Sequence, residues 1–492
     1  MSVIKVENLN FSYQGSGDII FENVNFQIDT DWKLGFVGRN GRGKTTFLNL
    51  LRGKYEFGGR IISSVEFDYF PYTVSDKSRL TSEILQSVCP AAQEWELMRE
   101  LNFLKVAPDV LQREFNSLSN GEQTKVLLAA LFLNEGRFLL IDEPTNHLDM
   151  QARELLSEYL RRKKGFILVS HDRNFLDGCV DHILSLNKAD IEVQSGNFSS
   201  FWTNFSRQQE FENKQNDRLK ADIKRLNNAA NRTALWAERV ESTKNGTRNS
   251  GLRPDKGYIG HKSAKMMKRA KVLEERRQKE ADEKSELLKN TEIADNLKIF
   301  PLEYRGERLA ALCSVAPVYG GKKVCKPVSF EINRGDRIAL DGQNGSGKSS
   351  LLKLICGKGI DYSGTVNIGS GLKISYVPQD TSQLSGTLTE FAAVHHIEQS
   401  LFKAILHKMG FNKDQFERDL SCFSEGQKKK TLIAKSLCER AHLYIWDEPL
   451  NYIDIYSRLQ IEELLTEFKL TMIFVEHDKA FREKIATKTV RL

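Results

Sequence analysis

The strongest constraint on this chain is that it says the same thing twice. "GRNGRGKT" (Gly38–Thr45) and "GQNGSGKS" (Gly342–Ser349) both match G-x-x-x-x-G-K-[ST], with their lysines 304 positions apart. In such a loop the glycines let backbone N–H groups curl around phosphate oxygens, and the following helix adds the positive end of its dipole. Lys44 and Lys348 then reach the outer phosphates, and Thr45 and Ser349 are placed to ligate a divalent cation. The flanks agree: "KLGFV" and "RIALD" read as strands entering each loop, and "TTFLNLLRG" and "SSLLKLICG" as helices leaving it.

Further motifs follow in the same order in each half. "FLLIDEP" and "LYIWDEP" are apolar strands ending in paired acids, Asp142-Glu143 and Asp447-Glu448. Two acids at the end of a buried strand need neutralising, which a metal–phosphate complex does. Asp142 and Asp447 are the expected metal ligands, and Glu143 and Glu448 the expected general bases on an attacking water. "LSNGEQ" and "FSEGQ" each open an amphipathic helix, with Ser119, Gly121 and Glu122 in one and Ser424, Gly426 and Gln427 in the other. His171 and His477 end strands as candidate γ-phosphate contacts, while Tyr13 and Tyr319 are candidates to stack on a base. Subtracting equivalents gives 305 for the serines and the first acids, and 306 for the histidines and the tyrosines. Chance motifs do not hold such register, so these are two copies of one domain.

This motif set resembles the ATP-binding cassette superfamily over roughly three-quarters of the chain. The resemblance implies an α/β fold of two tandem P-loop NTPase cassettes hydrolysing ATP with Mg²⁺, the signature of each half closing on the Walker A loop of the other. One composite site then joins Lys44, Asp142, Glu143 and His171 to Ser424 and Gly426. The other joins Lys348, Asp447, Glu448 and His477 to Ser119 and Gly121. Nucleotide contacts are further expected from Gly38, Asn40, Gly41, Gly43 and Thr46, and from Gly342, Asn344, Gly345, Gly347 and Ser350. The superfamily has a glutamine after the Q-loop proline. The second half keeps it as Gln379, a further metal contact, whereas the first has Tyr72. The two sites are therefore expected to hydrolyse at different rates.

Composition excludes several other classes. No run reaches the roughly 18–20 apolar residues of a membrane span, and "MSVIKVENLNFSYQ" carries no signal-peptide core, so a cytoplasmic protein is expected. Seven scattered cysteines form no C-x-x-C pair, which argues against zinc or iron–sulfur sites and suggests small buried hydrophobes. The net charge of +7 is concentrated: Arg207–Asn290 holds 22 Lys/Arg against 13 Asp/Glu, leaving −2 for the remainder.

That basic segment lacks glycine and proline from Phe198 to Asn245 and again from His261 to Phe300. Leu219, Ile223, Leu226, Ala230, Thr233, Ala237 and Val240 recur at steps of four and three, a heptad seam. The expectation is an antiparallel helical hairpin about 60 Å long, with its turn between Ser242 and His261. The domains are then 1–203 and 299–492 for the cassettes and 204–298 for the linker. Thr233–Lys271 alone has ten Lys/Arg and three acids. A tip with Lys244, Arg248, Arg253, Lys256 and Lys262 repels itself unless it meets polyanion, and Tyr258 offers a face to an unpaired base. No DNA-reading motif is visible.

Tandem cassettes without a membrane part, joined by a basic hairpin, resemble the ABC-F family of ribosome-associated ATPases, here over the whole chain. Tyr72 to Ser119 spans 47 residues and Gln379 to Ser424 spans 45, leaving no room for an inserted arm, and no C-terminal extension beyond "TVRL" is expected. With "RNGRGKTT", "DEPLNYID" and "KGYIGHKSAKMMKR", this looks like the Lsa-type antibiotic-resistance group. The resemblance implies a monomer that binds the 70S ribosome at the E site in its ATP form and touches 23S rRNA and P-site tRNA. It also implies displacement of lincosamides, pleuromutilins and streptogramin A from the peptidyl-transferase centre, with release on hydrolysis. The alternatives are a housekeeping translation factor, the ATPase subunit of an exporter, and a DNA-repair ATPase.

Overall fold

The computed structural model describes residues 2–13, 19–146, 148–187, 190–242, 301–343 and 345–492, with isolated positions between 261 and 279. By contact the chain forms two compact units, Met1–Phe201 with Asp295–Leu492, and Trp202–Ala294. Both cassettes lie in the first unit.

The first cassette begins with strands β1 (Val3–Ser12), β2 (Ile19–Asp29), β3 (Lys33–Gly38), β4 (Gly58–Ile62) and β5 (Glu66–Phe70). It continues with β6 (Arg137–Asp142), β7 (Phe166–Val169), β8 (His182–Asn187) and β9 (Asp190–Ser195). The central sheet has the order β5-β6-β7-β3-β8-β9, parallel except for the last pair, and β2-β1-β4 form a separate antiparallel sheet. In the second cassette the strands are β10 (Arg308–Tyr319), β11 (Lys322–Lys323), β12 (Val328–Asn333), β13 (Arg337–Asp341) and β14 (Tyr362–Ile368). They are followed by β15 (Ile374–Val377), β16 (Leu443–Asp447), β17 (Met472–Val475) and β18 (Lys488–Arg491). Its central order, β15-β16-β17-β13-β18, repeats that of the first cassette.

Central strands of a parallel sheet are covered on both faces and so read as unbroken apolar runs. β7 and β17 are buried at every position, as "FILV" and "MIFV" require. The phosphate loops leave the C-terminal ends of β3 and β13, where open α/β sheets bind ligands. At Gly43 the backbone has φ +103°, and a Cβ would stand 2.5 Å from Ile20 Cγ2, so only glycine fits the turn into the helix Lys44–Leu51.

The two halves meet through side chains placed by these sheets. Asn40 Nδ2 donates to Tyr452 O at 2.7 Å. Arg173, at the start of the helix Arg173–Cys179, pairs with the fully buried Glu462 of the helix Ile455–Phe468. Removing one partner of a buried pair strands the other charge, which costs about 3 kcal/mol or more. Lys484, 3.2 Å from Glu462, softens the loss. Arg173→Ala is expected to lower the melting temperature by about 5 °C or more. Lys479→Ala, which breaks the exposed 3.7 Å pair with Glu154, should change it by no more than about 2 °C. Thermal unfolding of both variants checks this contrast.

Of the seven cysteines only Cys89 and Cys179 are buried, while Cys313 and Cys422 are exposed. The expectation of seven buried thiols is thus corrected. Cys313, for instance, is exposed with Ser314 between the buried stretches 309–312 and 315–317 of β10.

The helix Phe198–Ser242 runs for 45 residues, roughly 70 Å at the usual rise. Within the heptad seam Leu219 is half-buried, whereas the side chains from Ile223 onward lie outside the described residues. The expected return helix, apart from those isolated positions, and the tip residues Lys244, Arg248, Arg253, Lys256, Tyr258 and Lys262 also lie outside them.

Candidate functional site

Each phosphate-loop lysine is folded over its own loop. Lys44 Nζ donates to Gly38 O at 2.7 Å, to Arg39 O at 3.2 Å and to Asn40 Oδ1 at 3.3 Å. Lys348 Nζ does the same to Gly342 O at 2.7 Å and Gln343 O at 2.9 Å. Burial pushes both ammonium groups down from their ordinary value, against the pull of surrounding carboxylates. The chain thus places two desolvated cations where phosphate oxygens would replace carbonyls as partners.

The expected metal ligands are also together. Thr45 Oγ1 donates to Asp142 Oδ2 at 2.8 Å, and Ser349 Oγ to Asp447 Oδ1 at 3.0 Å. Asp447 is fully buried and its Oδ2 has no hydrogen-bond partner. Burial pushes both Asp142 and Asp447 up. A buried, underbonded carboxylate beside a hydroxyl suits a hard divalent cation. No cluster of three or more His, Cys, Asp or Glu able to hold a metal exists among the described residues. An ion fitting here therefore takes its remaining oxygens from phosphate and water, as Mg²⁺ does.

Glu143 and Glu448 both sit in the left-handed backbone region, at φ 51° and 48°. Non-glycine residues bear that strain where surrounding structure enforces it. Here the backbone N–H of Glu143 is held by Val169 O at 2.9 Å and that of Glu448 by Val475 O at 3.0 Å. Each carboxylate meets the histidine of its own half: His171 Nε2 lies 3.3 Å from Glu143, and His477 Nε2 lies 3.5 Å from Glu448.

The two sites differ electrostatically. Burial, then the Asp142 charge, pushes Glu143 up to about 8. Burial and the Lys44 charge hold His171 well below its ordinary value, so its imidazole is neutral. Glu448 goes the other way: burial pushes it up, but the hydrogen bond and charge of His477, with Lys348 and Gln379, bring it below its ordinary value. Gln379 Nε2 donates to Glu448 Oε2 at 2.8 Å, and Asn451 Nδ2 donates to the same oxygen at 2.7 Å. Tyr72, at the first-half position of Gln379, is exposed and makes no such contact among the described residues. Tyr69 reaches the first site instead, its hydroxyl donating to Asp142 Oδ2 at 3.1 Å.

The expected cross-pairing of halves is present. A cavity of about 940 Å³ is lined by Ser119, Gly121 and Glu122 from the first half and by Gly345, Gly347, Lys348, Ser349, Ser350, Gln379, Glu448 and His477 from the second. At the other site Gly426 packs so close to Asn40 that a Cβ would stand 3.1 Å from its amide nitrogen. Ser119 and Ser424 cap their helices in capping boxes with Glu122 and Gln427, which leaves both serines at helix N-termini. Tyr13 Oη lies 2.8 Å from Thr46 Oγ1, and Tyr319 Oη 3.3 Å from Ser350 Oγ. Gly41, with φ 77°, completes the first loop, and Asn344 lies outside the described residues.

Sequence reasoning missed Asn451, Tyr69, and the aspartates Asp149 and Asp454. Asp149 lines the 940 Å³ cavity, and the charge of Asp454 acts on Lys44 from the other half. The repeat offset of 305 would have paired these two aspartates, but nothing in the sequence says that they face across the interface.

Comparison with known proteins agrees with this geometry. The ABC transporter family model matches residues 21–146 and again 325–451. The chain is similar to the ribosome protection protein VmlR of Bacillus subtilis, 27% identical over 489 residues, covering 96% of this chain and 84% of that protein. It is also 28% identical to the ATP-binding protein Uup of Caulobacter vibrioides, covering 96% of this chain and 74% of the relative. Among solved structures, the archaeal ribosome recycling factor aABCE1, crystallised with the stalk protein aP1, superposes with a TM-score of 0.63 at 20% identity, over 98% of this chain and 87% of that one. The last likeness concerns the fold. No helix among the described residues is long and apolar enough to cross a membrane.

Proposed function

The chain belongs to the ABC transporter family and is an ATPase of two tandem cassettes, and from that premise we propose that it is an ABC-F protein acting on the bacterial ribosome. In this reading Lys44 and Lys348 hold phosphate oxygens, and Thr45 with Asp142, or Ser349 with Asp447, would hold a Mg²⁺ ion whose charge would offset that of the phosphates. Glu143 and Glu448 take a proton from the attacking water, while His171 and His477 orient them. In its ATP-bound form the protein occupies the E site of the 70S ribosome as a cytoplasmic monomer. There the linker tip meets P-site tRNA and 23S rRNA and displaces lincosamides, pleuromutilins and streptogramin A from the peptidyl-transferase centre. Hydrolysis permits release.

One observation carries the ribosomal part: 22 Lys/Arg against 13 acids in the segment between the cassettes, in a chain whose remainder is slightly acidic. Such a segment spends its charge on a polyanion. That VmlR is named a ribosome protection protein supports the same reading.

The test is to replace Ser242–His261 by a short glycine-serine turn. ATP turnover should stay within about twofold, because the cassettes retain every group named above. Rescue of in vitro translation from lincomycin or tiamulin should be lost. Full rescue by the shortened protein would refute the displacement reading. A growth defect without drug on deletion of the gene would favour a housekeeping translation factor.

A further inference from the structure

Because the chain holds two copies of one cassette, positions where the copies differ in charge around the same catalytic group are informative in themselves. Two such positions lie behind the catalytic glutamates, Thr124 and Ser170 in the first half being Lys429 and Glu476 in the second, and beside them the neutral Thr145 becomes Leu450. In the first half the two hydroxyls at Thr145 and Ser170 lie 3.4 Å apart, and Ser170 Oγ accepts from Asp172 N at 3.2 Å. That contact joins the segment after Glu143 to the segment bearing His171.

In the second half Leu450 has no hydroxyl, and a charged arrangement takes its place. Glu476, 3% exposed, accepts from Leu450 N at 3.1 Å, His477 N at 2.7 Å and Asp478 N at 3.3 Å. Lys429, 2% exposed, donates from Nζ to Pro378 O at 2.9 Å. Pro378 precedes Gln379, whose amide holds Glu448. Lys429 also lines the 940 Å³ cavity with Gln379, Glu448 and His477. Burial pushes its ammonium down, while the nearby charges of Asp447, Glu448, Glu476 and Glu425 hold it up. Beside it, Thr381 Oγ1 donates to the Glu425 carboxylate, a second tie from the Gln379 segment to the helix Glu425–Cys438. Among the described residues no side-chain bond joins Pro71 or Tyr72 to the helix Asn120–Leu131.

Burying a lysine and a glutamate is costly unless each is compensated. The first half folds to the same strand order with neutral residues at both positions, so the fold does not require the charges. We propose that Lys429 and Glu476 form a compensated brace that positions Gln379 and His477 around Glu448, making turnover at the second site depend on the pair. Both are positioning residues, since they act through Gln379 and His477. Lys429 also stands five residues along the helix that Ser424 caps, and Ser424 belongs to the signature facing the first site. The brace therefore ties the Gln379 segment of one ATP site to the signature closing the other. The inference rests on the two-cassette ATPase and on nothing about the ribosome.

The experiment measures steady-state ATP turnover of the full chain, without ribosomes, for Lys429→Thr, Glu476→Ser and the double variant, which restores the first half's pair. Glu143→Gln/Glu448→Gln sets the zero of the assay. Lys429→Thr leaves Glu476 with its three backbone donors and Glu476→Ser leaves Lys429 beside Asp447, Glu448 and Glu425. Each single variant therefore unbalances the buried charge around Glu448, and should lower kcat about five- to tenfold with KM changed by less than about twofold. The double variant should regain at least about threefold over the weaker single, the non-additivity expected of coupled groups. If a single variant does not fold, Lys429→Met and Glu476→Gln, which keep the side-chain shape, carry the same comparison. Single variants within twofold of the unaltered kcat would overturn the brace. So would losses that multiply in the double variant, or a rise in KM that accounts for the whole effect.

Discussion

Replacing Glu143 and Glu448 together by glutamine is expected to lower ATP turnover by about two to three orders of magnitude while leaving ATP binding in place, because a positioned general base contributes about that much. Glutamine keeps the shape of each side chain and can still meet His171 and His477, but it cannot take a proton. The phosphate-holding groups are untouched: Lys44, Lys348, Thr45, Ser349, Asp142 and Asp447 all keep their partners. The single substitutions should not be equivalent. Glu448 is oriented by Gln379, Asn451 and His477, whereas Glu143 lacks the glutamine contact. Glu448→Gln is therefore expected to cost more of the total turnover than Glu143→Gln. Turnover by phosphate release, with ATP affinity measured separately, decides both points. A double variant retaining more than about a tenth of the activity would show that neither glutamate is the base.

Gly426→Ala is expected to damage turnover far more than the same change in the other signature. A Cβ at Gly426 would stand 2.3 Å from Tyr452 O and 3.1 Å from Asn40 Nδ2. The first is backbone, in a residue itself held at φ 63°, so it cannot swing aside as a side-chain end can. Asn40 and Tyr452 are also the hydrogen-bonded link between the halves. The methyl group must push the second signature away from the first phosphate loop, and a displacement near 1 Å at a reacting site can cost about 100-fold. Gly121→Ala, the same change in the other signature, meets only Leu148 Cδ2 at 3.3 Å. That methyl can move a few tenths of an ångström, so the effect should stay within about threefold. Steady-state ATP turnover of the two variants makes the comparison, and equal losses would contradict the close packing at the first site.

What the sequence made legible follows from where the chemistry fixes both residue type and spacing. The phosphate loop, the Asp-Glu pair and the histidine each occupy the end of a strand, so a strand-forming run followed by the right residue was enough to place them. Their recurrence at offsets of 304 to 306 then separated two functional copies from chance matches. The cross-pairing of signature and phosphate loop was reached only through family resemblance, because the residues concerned are hundreds of positions apart: Asn40 and Tyr452 are 412 residues distant. The brace at Lys429 and Glu476 was invisible for a related reason. The partners of Glu476 are backbone N–H groups, including that of Leu450, 26 positions earlier, and backbone groups leave no trace in composition. Tyr69 and Asn451 were hidden differently, since tyrosine and asparagine are common at strand ends and turns. Only the closeness of Asp142 and Glu448 gives them a role.

The most direct test of the account is whether Glu143→Gln/Glu448→Gln co-sediments with 70S ribosomes. The account predicts that it pellets with ribosomes in ATP, that it does not in ADP, and that adding salt weakens the association as charge-driven binding to RNA requires. Failure to pellet in ATP, from a variant that still binds the nucleotide, would contradict it.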